Sequence, residues 1–509
     1  MTDVTQSPPG AGHTTTLRVG WAAADLTPPG PVNIAAGASL RISAGVSDPI
    51  TANVLVLEST GTPGPGEMLV MVGCDLARAE EALCRRVREL VAELQPAIDS
   101  TRIVLNATHN HGAPCVRTDR QLAAKLAARG VNVPADWSYY GVAPEAMSPL
   151  AFLEFAAPRI AAAIDEAWRN RKPGGVSFGL AHAVLSHNRN VVYKDGRAQQ
   201  FGPVDVPDFS HIEGYEDHSV GLLCTWSLTG ELTGVVVNVP CAAWGMGQEI
   251  TADYWHETRN ELRRRLRHSV QVLQQIAASA EQWPRVLIES RAQERMLKML
   301  GRSWRQELAI RLADAVTSIL PCLQQHIEWD PAFVHRVEQI ELPQLQITAE
   351  MARSRQIEFE QLLAEYRQLR SAIEAQPEMR NQPNWFTKIS GVYWRMARAN
   401  RVLQMCENQR CSSSLPVTVH VIRLDSLAIV THPLALFLDY GIQIKARSKA
   451  IQTFTVQTAD GHYRYLPTER SMAGGKNYGS VPESIVFGPE GGAQLVEETL
   501  RLIASLWPE

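Results

Sequence analysis

The feature that most constrains this chain is a recurrence of short apolar runs, each followed by a turn or an amphipathic helix. Leu69-Val70-Met71-Val72-Gly73-Cys74-Asp75 reads as a buried strand. Glu80 to Leu94 follows as a helix with Leu83, Val87, Leu90 and Leu94 on one face. Arg102-Ile103-Val104-Leu105-Asn106 is a second buried strand, and Leu150 to Asn170 a second helix closed by Lys172-Pro173-Gly174-Gly175. Val176 to Val184 and Leu232 to Cys241 continue as strands. Such alternation predicts an α/β fold built on a large mixed sheet. Helical sequence follows at His256 to Leu266, Arg291 to Leu320 and Arg353 to Ala375. Strands return at Val417–Leu424, Leu427–Val430 and Thr453–Gln457, and Gly491 to Leu506 is a last helix. The organisation expected is a disordered leader over 1–16, a first core part over 17–254, a helical insertion over 255–415 and a second core part over 416–509.

With 45% hydrophobic and 20% charged residues, the 509-residue chain has the composition of a globular protein with a sizeable core. A net charge of -4 and no basic run interleaved with aromatics argue against a nucleic-acid partner. No apolar run reaches membrane-spanning length and the polar start is unlike a signal peptide, so no membrane partner and a cytoplasmic location are expected. The eight cysteines are scattered without a Cys-x-x-Cys pair, which fits buried thiols better than a disulfide framework or a zinc ribbon.

The chemistry concentrates at Ala107-Thr108-His109-Asn110-His111-Gly112-Ala113-Pro114, where the strand ending at Asn106 gives way to a turn. Two histidines at spacing two project to one side of an extended backbone. Imidazoles there can hold a metal, or one can hold it while the other moves protons. A second cluster, His211-Ile212-Glu213-Gly214-Tyr215-Glu216-Asp217-His218, is dense in titratable groups and reads first as a solvated charged loop. Arg117, Arg120 and Arg189 are candidates to anchor an anionic group. The glycines of 473–479 lack the Gly-Lys-Ser/Thr of a phosphate loop.

Several of these segments together resemble the neutral/alkaline non-lysosomal ceramidase family. Thr108-His109-Asn110-His111-Gly112-Ala113-Pro114 is similar to its Thr-His-x-His-Ser-Gly-Pro signature, and Val19-Gly20-Trp21-Ala22-Ala23-Ala24-Asp25-Leu26-Thr27-Pro28 to its opening strand. His187-Asn188-Arg189 resembles its Asn-Arg segment, and Tyr465 and Tyr478 lie at about the spacing of two functional tyrosines. The order of these segments runs from Leu17 to Trp507. Asp208 to His218, Asn238-Val239-Pro240-Cys241 and Phe437-Leu438-Asp439-Tyr440-Gly441 suggest a soluble ceramidase-like subgroup without the immunoglobulin-like tail.

The resemblance implies the family's mixed-sheet catalytic domain and an amidase-type hydrolase cutting a C–N amide bond of a small soluble substrate. It implies zinc as cofactor, with His109, Cys241 and Tyr465 as metal ligands, His111 as acid/base and Tyr478 as oxyanion donor. The second family histidine falls at or beside Cys241, and the family's glutamate ligand falls at Ala435, which cannot bind a metal. Glu281 lies near a Gly-Asp segment of the family without reproducing it. Three alternatives stand open: a ligand recruited from His187, His211, His218 or His432; metal-free chemistry by His109 and His111; or an inactive or non-hydrolytic relative that binds a metabolite or partner. The sequence leaves the oligomeric state open.

Overall fold

A computed structural model describes residues 16–60, 66–266, 270–474 and 477–507. The expected leader therefore lies outside the described residues except for Thr16.

The core is an eight-stranded mixed sheet. Its strands run in the order Gln271–Ile276, Leu232–Val239, Ser219–Ser227, Lys172–His182, Leu17–Asp25, Thr51–Ser59, Met68–Cys74, Ile103–Ala107. The first two and the last two pair parallel and the inner pairs antiparallel. A four-stranded sheet, Phe333–Pro343, Ser414–Leu424, Leu427–Thr431 and Gln452–Val456, packs on it.

The apolar runs are continuous because both faces of the inner strands are covered. In Thr51–Ser59, Val54 and Val56 face the helices Glu81–Leu94 and Pro149–Arg169, while Leu55 and Leu57 face the second sheet. From that second sheet Ile422, Leu424, Ile429 and Phe454 complete the inter-sheet layer. Its outer face is closed by helices Leu438–Arg447 and Pro489–Ser505. Helices Tyr254–Leu266 and Trp304–Gln325 cover strands Ser219–Ser227 and Leu232–Val239. The result is helix, sheet, sheet, helix.

Residues 255–415, expected as a helical insertion, are divided differently. They supply the strands Gln271–Ile276 and Phe333–Pro343 to the two sheets. The separate helical layer is formed by Ala349–Ala375 and Phe386–Asn408, packed on Leu122, Leu126, Trp137 and Tyr140. The run Arg291 to Leu320 is two helices, Ser290–Leu300 and Trp304–Gln325. Gly301 ends the first in a left-handed conformation (φ 63°), and Ser303 starts the second by a reciprocal cap with Gln306.

The sheet coils so far that Gln271–Ile276 returns against Thr51–Ser59, Met68–Cys74 and Ile103–Ala107. Gly73 permits this, since a Cβ there would meet the Gln274 carbonyl oxygen at 2.6 Å. A buried polar group seals the junction. The Asp75 carboxylate accepts from Arg259 NH2 (2.7 Å), Gln274 Nε2 (2.9 Å), and the backbone N–H and hydroxyl of Thr51 (2.9 and 3.0 Å). Arg259→Leu should strand that charge and destabilise the protein by about 3–5 kcal/mol in urea unfolding, with Asp75→Asn in the same chain recovering part of the loss. A cost below about 1 kcal/mol for Arg259→Leu alone would show that the pair does not hold the junction.

Candidate functional site

The His109 loop leaves the end of strand Ile103–Ala107 and is fixed by backbone and side-chain contacts on both sides. Asn110 Nδ2 donates to the carbonyls of Thr251 (2.5 Å) and Asp75 (3.3 Å), and its Oδ1 accepts from Gly112 N–H (2.9 Å). Gly112 and Gly245 touch backbone to backbone, so that a Cβ on Gly245 would stand 2.6 Å from the Gly112 nitrogen. Asp253 holds the opposing loop by accepting from the N–H groups of Trp244 (2.5 Å), Gly245 (2.6 Å) and Tyr254 (2.6 Å). Burial raises the Asp253 carboxyl to about 6 despite those donors.

His109 adopts a left-handed backbone (φ 56°), a conformation that costs energy in a non-glycine residue. Its ring meets that of His111 edge-on with centroids 5.0 Å apart, and His111 stacks on Trp244 at 4.5 Å. Phe201 and Trp283 extend this aromatic wall. Arg189 lies over Phe201 and Trp244, with its Cζ 5.2 and 5.4 Å from the ring centroids, and donates to the Ala280 carbonyl. Arg41 NH2 donates to the carbonyls of His111 (2.8 Å) and Ala35 (2.6 Å). Burial first, then the positive charges of Arg78 and Arg189, hold the His109 imidazole down to about 3, so it is neutral at physiological pH. The same causes, with His109 itself, keep His111 well below the usual range.

One small cavity brings His109, Ala242, Ala435 and Tyr465 together, closed by Arg189, Trp244, Ser279, Ala280, Gln282 and Gln457. Ala435 and Tyr465 are neighbours across a short parallel pairing, with the Ala435 N–H donating to Arg464 O at 2.7 Å. Tyr478 stands next to Tyr465, ring to ring at 5.9 Å and nearly perpendicular. Burial opposes ionisation of the Tyr478 phenol, but the charges of Arg398, Arg464, Arg78 and Arg401 outweigh it and hold the phenol below its ordinary value.

Cys241, expected as a metal ligand, does not line this cavity. It is fully buried, its thiol directed at the Leu185 carbonyl at 3.4 Å, and burial pushes its pKa far up, so a thiolate is not on offer. The next residue, Ala242, lines the cavity instead. The alternative histidines are also held elsewhere. His187 Nδ1 and Asn188 N–H engage Glu216 at 3.0 and 3.1 Å, with His218 3.6 Å from the same carboxylate. His432 is buried against Thr499, and burial brings it down to about 4. His211 is exposed beside Ser210. Asp217 pairs with Lys445 at 2.7 Å and buried Glu213 accepts from Asn477 Nδ2 at 2.7 Å, so the charged 211–218 segment is held by specific partners. Glu281 caps the helix Leu438–Arg447, accepting from Leu438 N–H with both oxygens (2.8 and 3.0 Å). Arg120 is exposed at the start of helix Arg120–Ala127.

The donor set does not fit zinc. Of the four residues that line the cavity at the implied ligand positions, two are alanines, leaving one imidazole and one phenol. Among the described residues no three His, Cys, Asp or Glu side chains converge to hold a metal ion. A catalytic zinc takes three protein ligands and an open position.

The aromatic wall, Arg41 and the arginines beside Tyr478 were not singled out by the sequence. Arg398 and Arg401 share one face of helix Phe386–Asn408, a helix whose period-3.6 pattern is the signal that would have found them.

Burial raises Glu281 to about 8, with Asp439 and Glu213 adding to it and the Leu438 N–H opposing. A carboxyl raised above its unfolded value binds its proton more tightly when folded. Stability should therefore fall as pH rises from about 4.5 to 8, with a slope of up to about 1.4 kcal/mol per pH unit. Glu281→Gln should remove that component in denaturant titrations between pH 5 and 8; identical slopes in both proteins would refute it.

No protein-family model matches the chain, and no curated protein matches it. Solved structures do. Neutral ceramidase from Pseudomonas aeruginosa superposes with a TM-score of 0.63 at 14% identity, covering 98% of this chain and 76% of that one. A structure described as ceramidase complexed with C2 gives a TM-score of 0.65 at 14% identity, over 97% and 75% of the two chains. The chain has a neutral ceramidase-like fold.

Proposed function

We propose that this protein binds a small soluble metabolite beside the His109 loop without a resident zinc ion, as a non-hydrolytic relative of the enzymes whose fold it shares. The carrying observation is Ala435, which lines the same cavity as His109 and Tyr465 and offers no metal donor there. Removing a carboxylate and an imidazole from a zinc site takes away both donors and charge balance. The surroundings act in the same direction: Arg78 and Arg189 place positive charge beside His109, which repels a divalent cation. A cytoplasmic location and a small-molecule ligand belong to this reading. Among the described residues no helix is long and apolar enough to cross a membrane.

A second reading, metal-free hydrolysis of a C–N amide bond, draws on the lowered phenol of Tyr478 beside Tyr465. A phenol in that state is a better proton donor to a developing oxyanion.

Elemental analysis of protein purified without added metal should find zinc far below one equivalent, and added zinc should bind weakly. An Ala242→His, Ala435→Glu double variant should gain zinc affinity by at least tenfold in competition with a chromogenic chelator. Near-stoichiometric zinc in the unaltered protein, lost in His109→Ala, would overturn the metal-free reading. Turnover of short N-acyl amides that survives chelators and disappears in Tyr478→Phe would establish the second reading over the first.

A further inference from the structure

Near the His109 cavity five guanidiniums from four chain segments lie within electrostatic reach of one another and of Tyr478. Arg78 follows strand Met68–Cys74, Arg117 follows strand Ile103–Ala107, Arg464 precedes Tyr465, and Arg398 and Arg401 come from helix Phe386–Asn408. Arg117 Cζ lies 4.6 Å over the Tyr139 ring and Arg398 Cζ 4.9 Å over the Tyr478 ring. Tyr478 packs against Tyr465, which lines the cavity, so the cluster adjoins it across these two rings.

Negative charge around them is scarce. Glu80 stands 3.9 Å from Arg117, outside hydrogen-bond reach, and its Oε1 has no partner. Glu483 is 3.9 Å from Arg398 and already engages Arg355 at 3.0 Å. Arg401 donates to a backbone carbonyl, that of Glu483. Among the described residues Arg78, Arg401 and Arg464 form no ion pair with a carboxylate. Two buried donors, Arg78 Nε and Arg117 NH1, have no acceptor at all. Unpaired buried N–H groups are costly, and five like charges in one place are more so. The repulsion is visible at Arg401, which burial, then Arg117 and Arg398, bring down to about 10, whereas Arg117 is held up against burial by Tyr139, Glu80 and Asp119. Arg464 is held in a left-handed backbone (φ 73°). Such strain and repulsion are retained where a ligand repays them.

We infer that this arginine cluster is the recognition site for a multiply charged small oxyanion, a polycarboxylate or a phosphate ester, whose charged end seats among Arg78, Arg117, Arg398, Arg401 and Arg464 while the rest reaches toward His109. Guanidinium forks match carboxylate and phosphate oxygens in pairs, which lysines would not do. The neutral imidazole of His462, its buried Nδ1 without a partner, offers a further hydrogen bond at the same place. This deepens the proposed metabolite binding and rests on it.

The test uses the full chain with chelator present, citrate and inorganic pyrophosphate as probes, and both calorimetry and thermal unfolding. At least one probe should bind with a sub-millimolar Kd, raise Tm and weaken steeply between 50 and 500 mM salt. Arg464→Gln and Arg401→Gln should each weaken binding at least tenfold, yet melt no lower than the unaltered protein without anion, because repulsion is relieved. Arg120→Gln, outside the cluster, should bind normally. Where a glutamine variant unfolds, Arg464→Lys decides: a folded lysine variant that binds tenfold more weakly supports the inference, and one that binds equally overturns it. Failure of both probes to bind also overturns it. Zinc content of the same samples separates the two readings: zinc-free protein that ignores both anions defeats this inference alone, whereas stoichiometric zinc with intact anion binding defeats only the metal-free reading. Citrate and pyrophosphate, compared at equal charge, report whether carboxylate or phosphate is preferred.

Discussion

A single buried carboxylate, Asp75, ties together the parts on which the cavity depends. It sits at the end of strand Met68–Cys74 with no exposed surface. Through it pass the start of strand Thr51–Ser59, the helix carrying Arg259, the returning strand that carries Gln274 and, by its carbonyl, Asn110 of the histidine loop. A charge in that position is tolerable only because every lone-pair direction finds a donor. The coiling of the sheet, the closeness of Gly73 to Gln274 and the seating of the histidine loop thus follow from one satisfied polar centre. The residues that could do chemistry lie outside it, on loops hung from a support that cannot relax.

Those loops are strained where they meet. His109, Phe201, Asp253 and Arg464 all have left-handed backbones without being glycine (φ 56°, 54°, 60° and 73°), and all four border the cavity or hold its walls. The strain is distributed over separate segments, each fixed by its own contacts: Asp253 by three N–H donors to its carboxylate, Phe201 by Trp244 and Trp283, and the His109 loop by Asn110. A cavity assembled this way holds its shape before anything binds, so a ligand need not meet the cost of ordering it.

The sheet and most helices are legible in the sequence because both-face burial writes continuous apolar runs, and amphipathic helices write a 3.6-residue period. The run Leu69 to Cys74 and the strand before His109 are found within a residue or two of where they stand. What the pattern does not carry is which strand lies beside which. Gln271–Ile276 is a short run between two helices, with Gln274 and Gln275 in its middle, and only the coiling of the sheet makes those glutamines interior. Cys241 was readable as a ligand because a strand end points at a site; the strand ends at Val239, and in the loop beyond it the thiol packs at the Leu185 carbonyl while Ala242 lines the cavity. The arginine cluster has no linear signature, being drawn from positions 78, 117, 398, 401 and 464. Of its members only Arg117 stood out in the sequence as an anion anchor; the others look like ordinary surface arginines until the fold gathers them.

The lack of metal donors in the cavity and the gathering of guanidiniums act in the same direction. A divalent cation beside His109 would face Arg78 and Arg189 directly and the rest of the cluster across Tyr465 and Tyr478, in surroundings that screen charge poorly. Carboxylate and imidazole ligands would have to offset that repulsion as well as bind the ion, and the alanines at 242 and 435 supply neither. An anion inverts every sign. It relieves the repulsion among the arginines, gives Arg78 Nε and Arg117 NH1 the acceptors they lack, and leaves the histidines neutral, as burial already holds them. The fold that in its structural neighbours carries a ceramidase is here arranged so that positive charge comes from the protein and negative charge from the ligand.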